Sequence, residues 1–113
     1  MDFFGGDMKK LLRDGHIAIL ISRGFGAGWY SWHGIEKLLY DPNIVRMLEN
    51  PDENEDRFTI EKYCEETYGD DSYYGGIDGL QVVWLPEGTQ FLIHEYDGAE
   101  SIWIKEKLAW KTA

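Results

Sequence analysis

The amino-acid sequence predicts an α+β fold, with a mostly antiparallel sheet of about four to five strands and two or three short helices on one face. Three observations support this prediction. Residues 16–22 are nearly all apolar and include several isoleucines, as in a buried strand. In residues 35–68, apolar residues recur at spacings of three and four, which is typical of helices. From residue 80 onward, apolar and polar residues alternate in short runs separated by turn residues.

The predicted domain begins with the buried strand. We expect residues 1–15 to be an N-terminal extension, with a short helical turn over 8–14 that Gly15 ends. Residues 16–113 then form a single α+β domain. The strand at 16–22 is apolar at successive positions, which indicates that both of its faces are covered.

The predicted helices occupy the middle of the chain. An apolar stripe over 35–39 predicts a short helix. Asp41 is a good N-cap for a second helix, which would have Pro42 at its first position and end at Asn50. A third helix is expected to begin at Thr59, within an acid-rich stretch.

The rest of the chain predicts strands joined by turns. Residues 73–79 form a second loop rich in glycine and aromatic residues. The Asp97-Gly98 pair suits a hairpin turn. The expected strands are 80–85, 89–96 and 100–105, with a further short strand at 108–110.

The net charge narrows the classes of partner. The 113 residues carry a formal charge of −10, which argues against direct binding to nucleic acid or to an anionic membrane surface. Basic proteins and small ligands held by local hydrogen-bond donors remain as partners. The sequence contains neither an apolar run long enough for a membrane span nor a signal-peptide pattern.

Aromatic and cysteine content add two expectations. Seventeen residues are Phe, Trp or Tyr, more than a domain of this size is expected to bury, so the remainder should line a pocket or a homo-oligomer interface. Cys64 is the single cysteine, which excludes an intramolecular disulfide and fits a reducing, cytoplasmic setting. Its acidic neighbours make it a poor nucleophile.

The glycine-rich loop after the first buried strand is the strongest candidate for a site. Its Gly24-x-Gly26-x-Gly28 spacing matches neither the dinucleotide fingerprint nor the phosphate-binding P-loop. Closely spaced backbone N–H groups could nevertheless cradle an anion, with Arg23 holding a phosphate bidentately. The alternative is a tight structural connection that uses glycine for its backbone freedom.

The aromatic residues beside this loop suggest a place where a ring could stack. Trp29, Tyr30 and Trp32 could hold a base, although packing in the core is the competing interpretation. Loop and strand-end carboxylates would accept hydrogen bonds from ribose hydroxyls or an amino group. The candidate ligand-binding residues are Arg23, Gly24, Phe25, Gly26, Gly28, Trp29, Tyr30, Trp32, His33, Tyr74, Asp78 and Glu95. We expect no catalytic residue, metal or cofactor, because no catalytic motif stands out and no three metal ligands fall at a known spacing.

Four blocks of the sequence resemble a group of small phage and prophage proteins, most without an assigned function. The blocks are Gly24-Phe25-Gly26-Ala27-Gly28-Trp29, Leu39-Tyr40-Asp41-Pro42, Tyr74-Gly75-Gly76-Ile77-Asp78-Gly79-Leu80 and Glu95-Tyr96-Asp97-Gly98-Ala99-Glu100-Ser101-Ile102. The resemblance covers roughly residues 16–104 and implies a phage context, in the cytoplasm of an infected bacterium. Small accessory phage proteins often counter bacterial immunity.

Three functions follow as expectations. The first is a non-enzymatic protein that binds and sequesters a small nucleotide-derived immune signal. The second is an acidic, DNA-mimic-like inhibitor that docks on a basic host protein through Glu61, Glu65 and Glu66. The third is a small phosphodiester hydrolase that uses Asp78 and Glu95 as its acid and base.

Overall fold

The computed structural model describes residues 3–4, 10–24, 28–50 and 57–105. Its strands are β1 (Phe3–Phe4), β2 (Leu11–Arg13), β3 (His16–Ser22), β4 (Leu80–Pro86), β5 (Phe91–Tyr96) and β6 (Ala99–Ile104). Its α-helices are α1 (Tyr30–His33), α2 (Glu36–Tyr40), α3 (Pro42–Glu49) and α4 (Arg57–Tyr68), and a 3₁₀ helix spans Ile77–Gly79. The predicted α+β class with antiparallel strand pairing is confirmed.

The described strands form two antiparallel sheets, not one. A four-stranded sheet has the order β1-β2-β3-β4, and β5 and β6 form a separate two-stranded sheet. The buried strand β3 pairs along its whole length with β4, from His16 opposite Pro86 to Ser22 opposite Leu80. Strand β4 therefore pairs with β3 and not with β5, the next strand along the chain.

Both faces of β3 are covered, as its apolar run predicted. On one face, Ala18 and Leu20 pack in a buried cluster with residues of α3 and α4. On the other face, Ile17, Ile19 and Ile21 pack with α2 and with the β5–β6 hairpin. Helices α3 and α4 thus share one face of the main sheet, while α2 also contributes to the layer on the opposite face.

Strand β2 corrects the expected helical turn near the N-terminus. Leu11–Arg13 is a strand that pairs with β3, and both Leu11 and Leu12 are buried. Asp14 and Gly15 have φ values of 51° and 77°, as in a two-residue type I′ hairpin turn. The boundary that we expected between residues 15 and 16 therefore cuts through a hairpin of the main sheet.

Asp41 caps α3 as predicted and also anchors α4. Its Oδ1 accepts hydrogen bonds from the backbone N–H groups of Asn43, at 2.8 Å, and Ile44, at 3.2 Å. Its Oδ2 accepts hydrogen bonds from the hydroxyls of Tyr63, at 2.8 Å, and Tyr68, at 2.5 Å. One buried carboxylate therefore serves four donors and ties the start of α3 to α4.

Two further outcomes concern the ends of elements. Helix α4 begins at Arg57, two residues before the expected start at Thr59. The strand expected at 108–110 lies outside the described residues. Within the described ranges, no helix combines the length and the apolar character that crossing a bilayer requires.

Candidate functional site

The described part of the glycine-rich loop surrounds a carboxylate of the protein itself. Oε1 of Glu100 accepts a hydrogen bond from the backbone N–H of Ser22 at 2.9 Å. Its Oε2 accepts from the N–H groups of Trp29, at 3.1 Å, and Ser31, at 2.7 Å, and from the Ser31 hydroxyl at 2.6 Å. The Glu100 side chain is only 2% exposed. The N–H groups on both sides of the Gly24–Gly28 segment are therefore used by a side chain of β6.

The register of the β5–β6 hairpin places Glu100 on the face of the hairpin that packs against the core. Directly opposite residues of an antiparallel pair lie on the same face, so Glu100 shares its face with Ile93 and Ile102. These isoleucines pack against the core. The carboxylate thus approaches the end of β3 from the interior, where the only compensation for burying its charge is a full set of hydrogen bonds.

Trp29 is a core residue, which corrects its expected role as a stacking surface. Its side chain is 0% exposed, and its Nε1–H donates a hydrogen bond to the carbonyl of Leu38 at 3.2 Å. A Cβ at Gly28 would come within 2.4 Å of the Ser31 hydroxyl, so a larger residue there would require the Ser31 side chain to move. Phe25 and Gly26 lie outside the described residues.

His33 lies among aromatic rings next to Trp29. The ring centroids of the two residues are 4.8 Å apart in an edge-to-face arrangement. The Nδ1 of His33 accepts the backbone N–H of Ile35 at 2.8 Å, so the neutral ring carries its proton on Nε2. Nε2 is buried and has no hydrogen-bond partner among the described residues. Burial lowers the pKa of His33 to about 4, although the Glu100 charge raises it in part.

The other candidate residues are spread over several elements. Tyr74 is buried, and its hydroxyl donates to the Gly69 carbonyl. Asp78 is exposed in the 3₁₀ helix, whereas Glu95 is exposed in β5 and accepts the Gly98 N–H at 2.6 Å. Two residues of the loop itself, Arg23 and Gly24, are also exposed.

Trp32 is the predicted aromatic residue that stays on the surface. It is 49% exposed, and its ring lies 5.6 Å from that of Tyr73, which is 61% exposed. Trp32 does not line the cleft described below.

A cleft of about 730 Å³ lies between the helices α1–α2 and the hairpin β5–β6. Tyr30, Glu36, Leu39 and Tyr40 form the helical side, and the consecutive residues 89–93 form the strand side, with Trp103 and Lys105 completing it. Its volume is in the range of about 300–1,000 Å³ that small-molecule sites occupy. Of the ten candidate ligand-binding residues that the structure describes, Tyr30 alone lines it. The sequence signal for the other residues of the cleft was weak, because residues of these types are also common in protein cores and strands.

The chemistry of the cleft combines aromatic surface with a few polar groups. Burial raises the pKa of Tyr40, and the nearby Glu36 and Tyr30 raise it further, so its hydroxyl keeps its proton at neutral pH. Lys10 places its Nζ 4.4 Å from the centre of the Tyr40 ring, in a cation–π contact. Glu36 and Lys105 put one charge of each sign on the lining.

Neither the single cysteine nor the possible metal ligands form a reactive site among the described residues. Burial, followed by the charges of Asp41, Glu61 and Glu65, raises the pKa of the Cys64 thiol to about 12. A thiol in that state is a poor nucleophile. Within the ranges that the structure describes, no three His, Cys, Asp or Glu side chains cluster so as to hold a metal ion.

The geometry defines a small α+β protein with a cleft beside a hairpin, without assigning a reaction. Comparison with known proteins adds no family: no family model, curated protein or solved structure matches the chain.

Proposed function

We propose that the protein binds and sequesters a small nucleotide-like ligand without turning it over, and that the ligand lies in the cleft between α2 and β5. The cleft itself carries this proposal. Its volume suits a nucleotide, and its lining pairs the aromatic rings of Tyr30, Tyr40 and Phe91 with a small number of polar groups. A base would pack on the rings, while Glu36 would accept hydrogen bonds from sugar hydroxyls.

This proposal moves the ligand away from the glycine-rich loop. The N–H groups of Ser22, Trp29 and Ser31, on both sides of the loop, already bind the Glu100 carboxylate. A phosphate at the loop would meet this buried negative charge, which is unfavourable in a region of low dielectric. A ligand in the cleft avoids this buried charge.

The absence of turnover is proposed because neither Asp78 nor Glu95, the acid and base expected of a hydrolase, lines the cleft, and because other reactive groups are buried. Asp41 and Glu100 are each saturated with hydrogen-bond donors, and the Cys64 thiol is buried with a raised pKa. The net charge of −10 repels an anionic ligand at long range, but screening limits this beyond about 8 Å at physiological salt. Contacts inside the cleft then decide the affinity. The resemblance to phage proteins suggests that the ligand is an immune signal in the cytoplasm of an infected bacterium.

Calorimetry against cyclic nucleotides, ADP-ribose derivatives and mononucleotides tests this proposal. We expect Glu36→Gln to weaken the binding of any hit, because Glu36 lines the cleft. The matched control Glu65→Gln makes the same change at an exposed position of α4 and should have no effect. Arg23→Ala should also leave binding unchanged. Loss of binding in Arg23→Ala with full binding in Glu36→Gln would return the site to the loop. No heat from folded protein with any compound would refute the proposal.

A second candidate function is docking on a basic protein through α4. Glu65, Glu66, Asp70 and Asp71 are all exposed along the end of this helix and the turn after it. Lys62 approaches this surface, with its Nζ 4.0 Å from Glu66. Reversing the charges of Glu61, Glu65 and Glu66 should abolish capture of a basic partner and leave nucleotide binding intact, which separates the two functions.

A further inference from the structure

Two aromatic side chains, which we call the aromatic pair, meet on the surface beside the glycine-rich loop. Trp32, in α1, is 49% exposed, and Tyr73, in the segment after α4, is 61% exposed. Their ring centroids are 5.6 Å apart, and the ring planes are inclined by 41°. Single exposed apolar side chains are common on protein surfaces, so the feature to explain is the contact between two of them. Neither residue lines the cleft, so the proposed nucleotide site does not account for the pair.

The backbone of the glycine-rich loop holds the Trp32 ring in place. A Cβ at Gly28 would lie 2.5 Å from Cδ1 and 2.9 Å from Nε1 of Trp32, so the pyrrole edge of the indole packs directly against Gly28. The residues that follow the aromatic pair, His33 and Tyr74, also contact each other, with ring centroids 6.2 Å apart. Two ring contacts thus join α1 to the segment after α4. A surface held in this way loses little conformational freedom when a partner binds.

The surroundings of the aromatic pair are strongly acidic. Residues 61–78 contain six acidic residues and one basic residue. Asp70 and Asp71 are exposed and precede the tyrosine of the pair by three and two residues. Burial raises the pKa of Tyr74, and the charges of Glu65 and Asp70 raise it further, so these two carboxylates lie close to the same segment. The surface therefore attracts a cationic partner and repels an anionic one.

We propose that the aromatic pair and its acidic neighbours bind an arginine side chain of a basic protein partner. The guanidinium group is planar and can stack on an aromatic face while it donates hydrogen bonds to a carboxylate. Lysine carries the same charge on a compact, strongly hydrated ammonium group, which cannot stack in this way. Tryptophan, tyrosine and arginine are also enriched among the residues that dominate binding energy at protein interfaces. This inference rests on the second candidate function, docking on a basic protein through α4, and names the side chain that would be recognised.

Two fluorescently labelled peptides of equal length and charge test the inference. One alternates glycine with arginine and the other alternates glycine with lysine, and fluorescence anisotropy at low ionic strength measures their binding to the whole protein. We expect the arginine peptide to bind roughly threefold or more tightly than the lysine peptide. Equal affinity of the two peptides would overturn the inference while leaving docking on a basic protein intact. No binding of either peptide would overturn both.

Variants of two exposed tyrosines test the aromatic contact directly. Tyr73→Ala removes one ring of the aromatic pair and should abolish the preference for arginine over lysine, whereas Tyr73→Phe keeps the ring and should retain it. Tyr96→Ala is the matched control, since Tyr96 is 72% exposed in β5 and lies between the exposed acids Glu95 and Asp97. We expect this control to retain the preference. The same preference in Tyr73→Ala and Tyr96→Ala would contradict the contact.

The indole N–H signals give a readout in the unmodified protein. The Trp29 indole is buried and donates to the Leu38 carbonyl at 3.2 Å, so its signal is an internal reference. We expect the arginine peptide to shift the Trp32 indole signal in nitrogen–proton correlation NMR spectra and to leave the Trp29 signal unchanged. Bound arginine peptide without a shift at Trp32 would show that the guanidinium group lies elsewhere and would overturn the inference.

Discussion

Glu100→Ala is the most informative perturbation of this fold. The substitution removes an acceptor that serves the N–H groups of Ser22, Trp29 and Ser31 as well as the Ser31 hydroxyl. The hydroxyl can turn toward solvent because Ser31 is exposed, but the amides of Ser22 and Trp29 are buried. Those two donors and the partly buried Ser31 amide would lose their partner together.

The magnitude follows from this count of donors. A buried N–H without an acceptor costs about 1–3 kcal/mol. Three amides lose their acceptor, so we expect Glu100→Ala to lower the free energy of unfolding by about 4 kcal/mol, a large part of the roughly 5–15 kcal/mol that holds a domain together. Glu100→Gln should cost less, because its amide oxygen can still serve the donors at the Oε2 position.

Urea unfolding measures this effect as a shift of the transition midpoint at an unchanged slope. The control is Glu95→Ala, because Glu95 lies directly opposite Glu100 in the hairpin but is exposed. Glu95 accepts one described hydrogen bond, from the Gly98 N–H, so its loss should cost about 1 kcal/mol or less. If Glu100→Ala is no more destabilising than Glu95→Ala, the account of the loop as a structure built on Glu100 is wrong.

Four other outcomes are expected. Asp41→Ala removes a helix cap and the acceptor of two tyrosine hydroxyls, and it should lower the free energy of unfolding in urea by about 2–4 kcal/mol. Tyr68→Phe removes one of these hydrogen bonds and should lower it by about 1 kcal/mol. His33 should remain neutral in NMR titrations of the folded protein until the pH approaches 4. The unfolded chain takes up this proton near pH 6.5, so the free energy of unfolding should fall as the pH drops from about 6.5 to 4, and His33→Gln should make this fall smaller. Cys64 should resist thiol reagents in folded protein and react once urea unfolds it. If the exposed side chain of Trp103 lies in the expected homo-oligomer interface, Trp103→Ser should shift the mass measured by native mass spectrometry to that of the monomer, whereas an unchanged oligomer would exclude this face.

Elements with a strong local signal were predicted well. The buried strand at 16–22, the Asp41-Pro42 start of α3 and the Asp97-Gly98 turn all appear where the sequence indicated. The Asp14-Gly15 pair carried the same turn signal, and both aspartates adopt positive φ in the structure. We missed that first hairpin because the short Leu11–Arg13 strand has too few residues to show alternation.

The candidate site was predicted less well than the fold. Trp29 indicated a surface on which a ring could stack, but its side chain packs in the core. The carboxylate of Glu100 binds N–H groups on both sides of the glycine-rich segment, a contact that the loop's own residues do not indicate. Burial of a given aromatic residue depends on what packs over it, which a local pattern does not reveal.

The sequence by itself determined the local elements, because helix periodicity, strand apolarity and turn residues act between neighbours in the chain. Only the tertiary structure decided that β4 pairs with β3 and that Glu100, 78 residues beyond Ser22, accepts the Ser22 N–H at the end of β3. Such contacts form where distant segments bury the most apolar surface while satisfying their polar groups, and that balance is a property of the whole chain. The cleft is a consequence of the same packing, since it exists only where α2 and the edge of β5 meet.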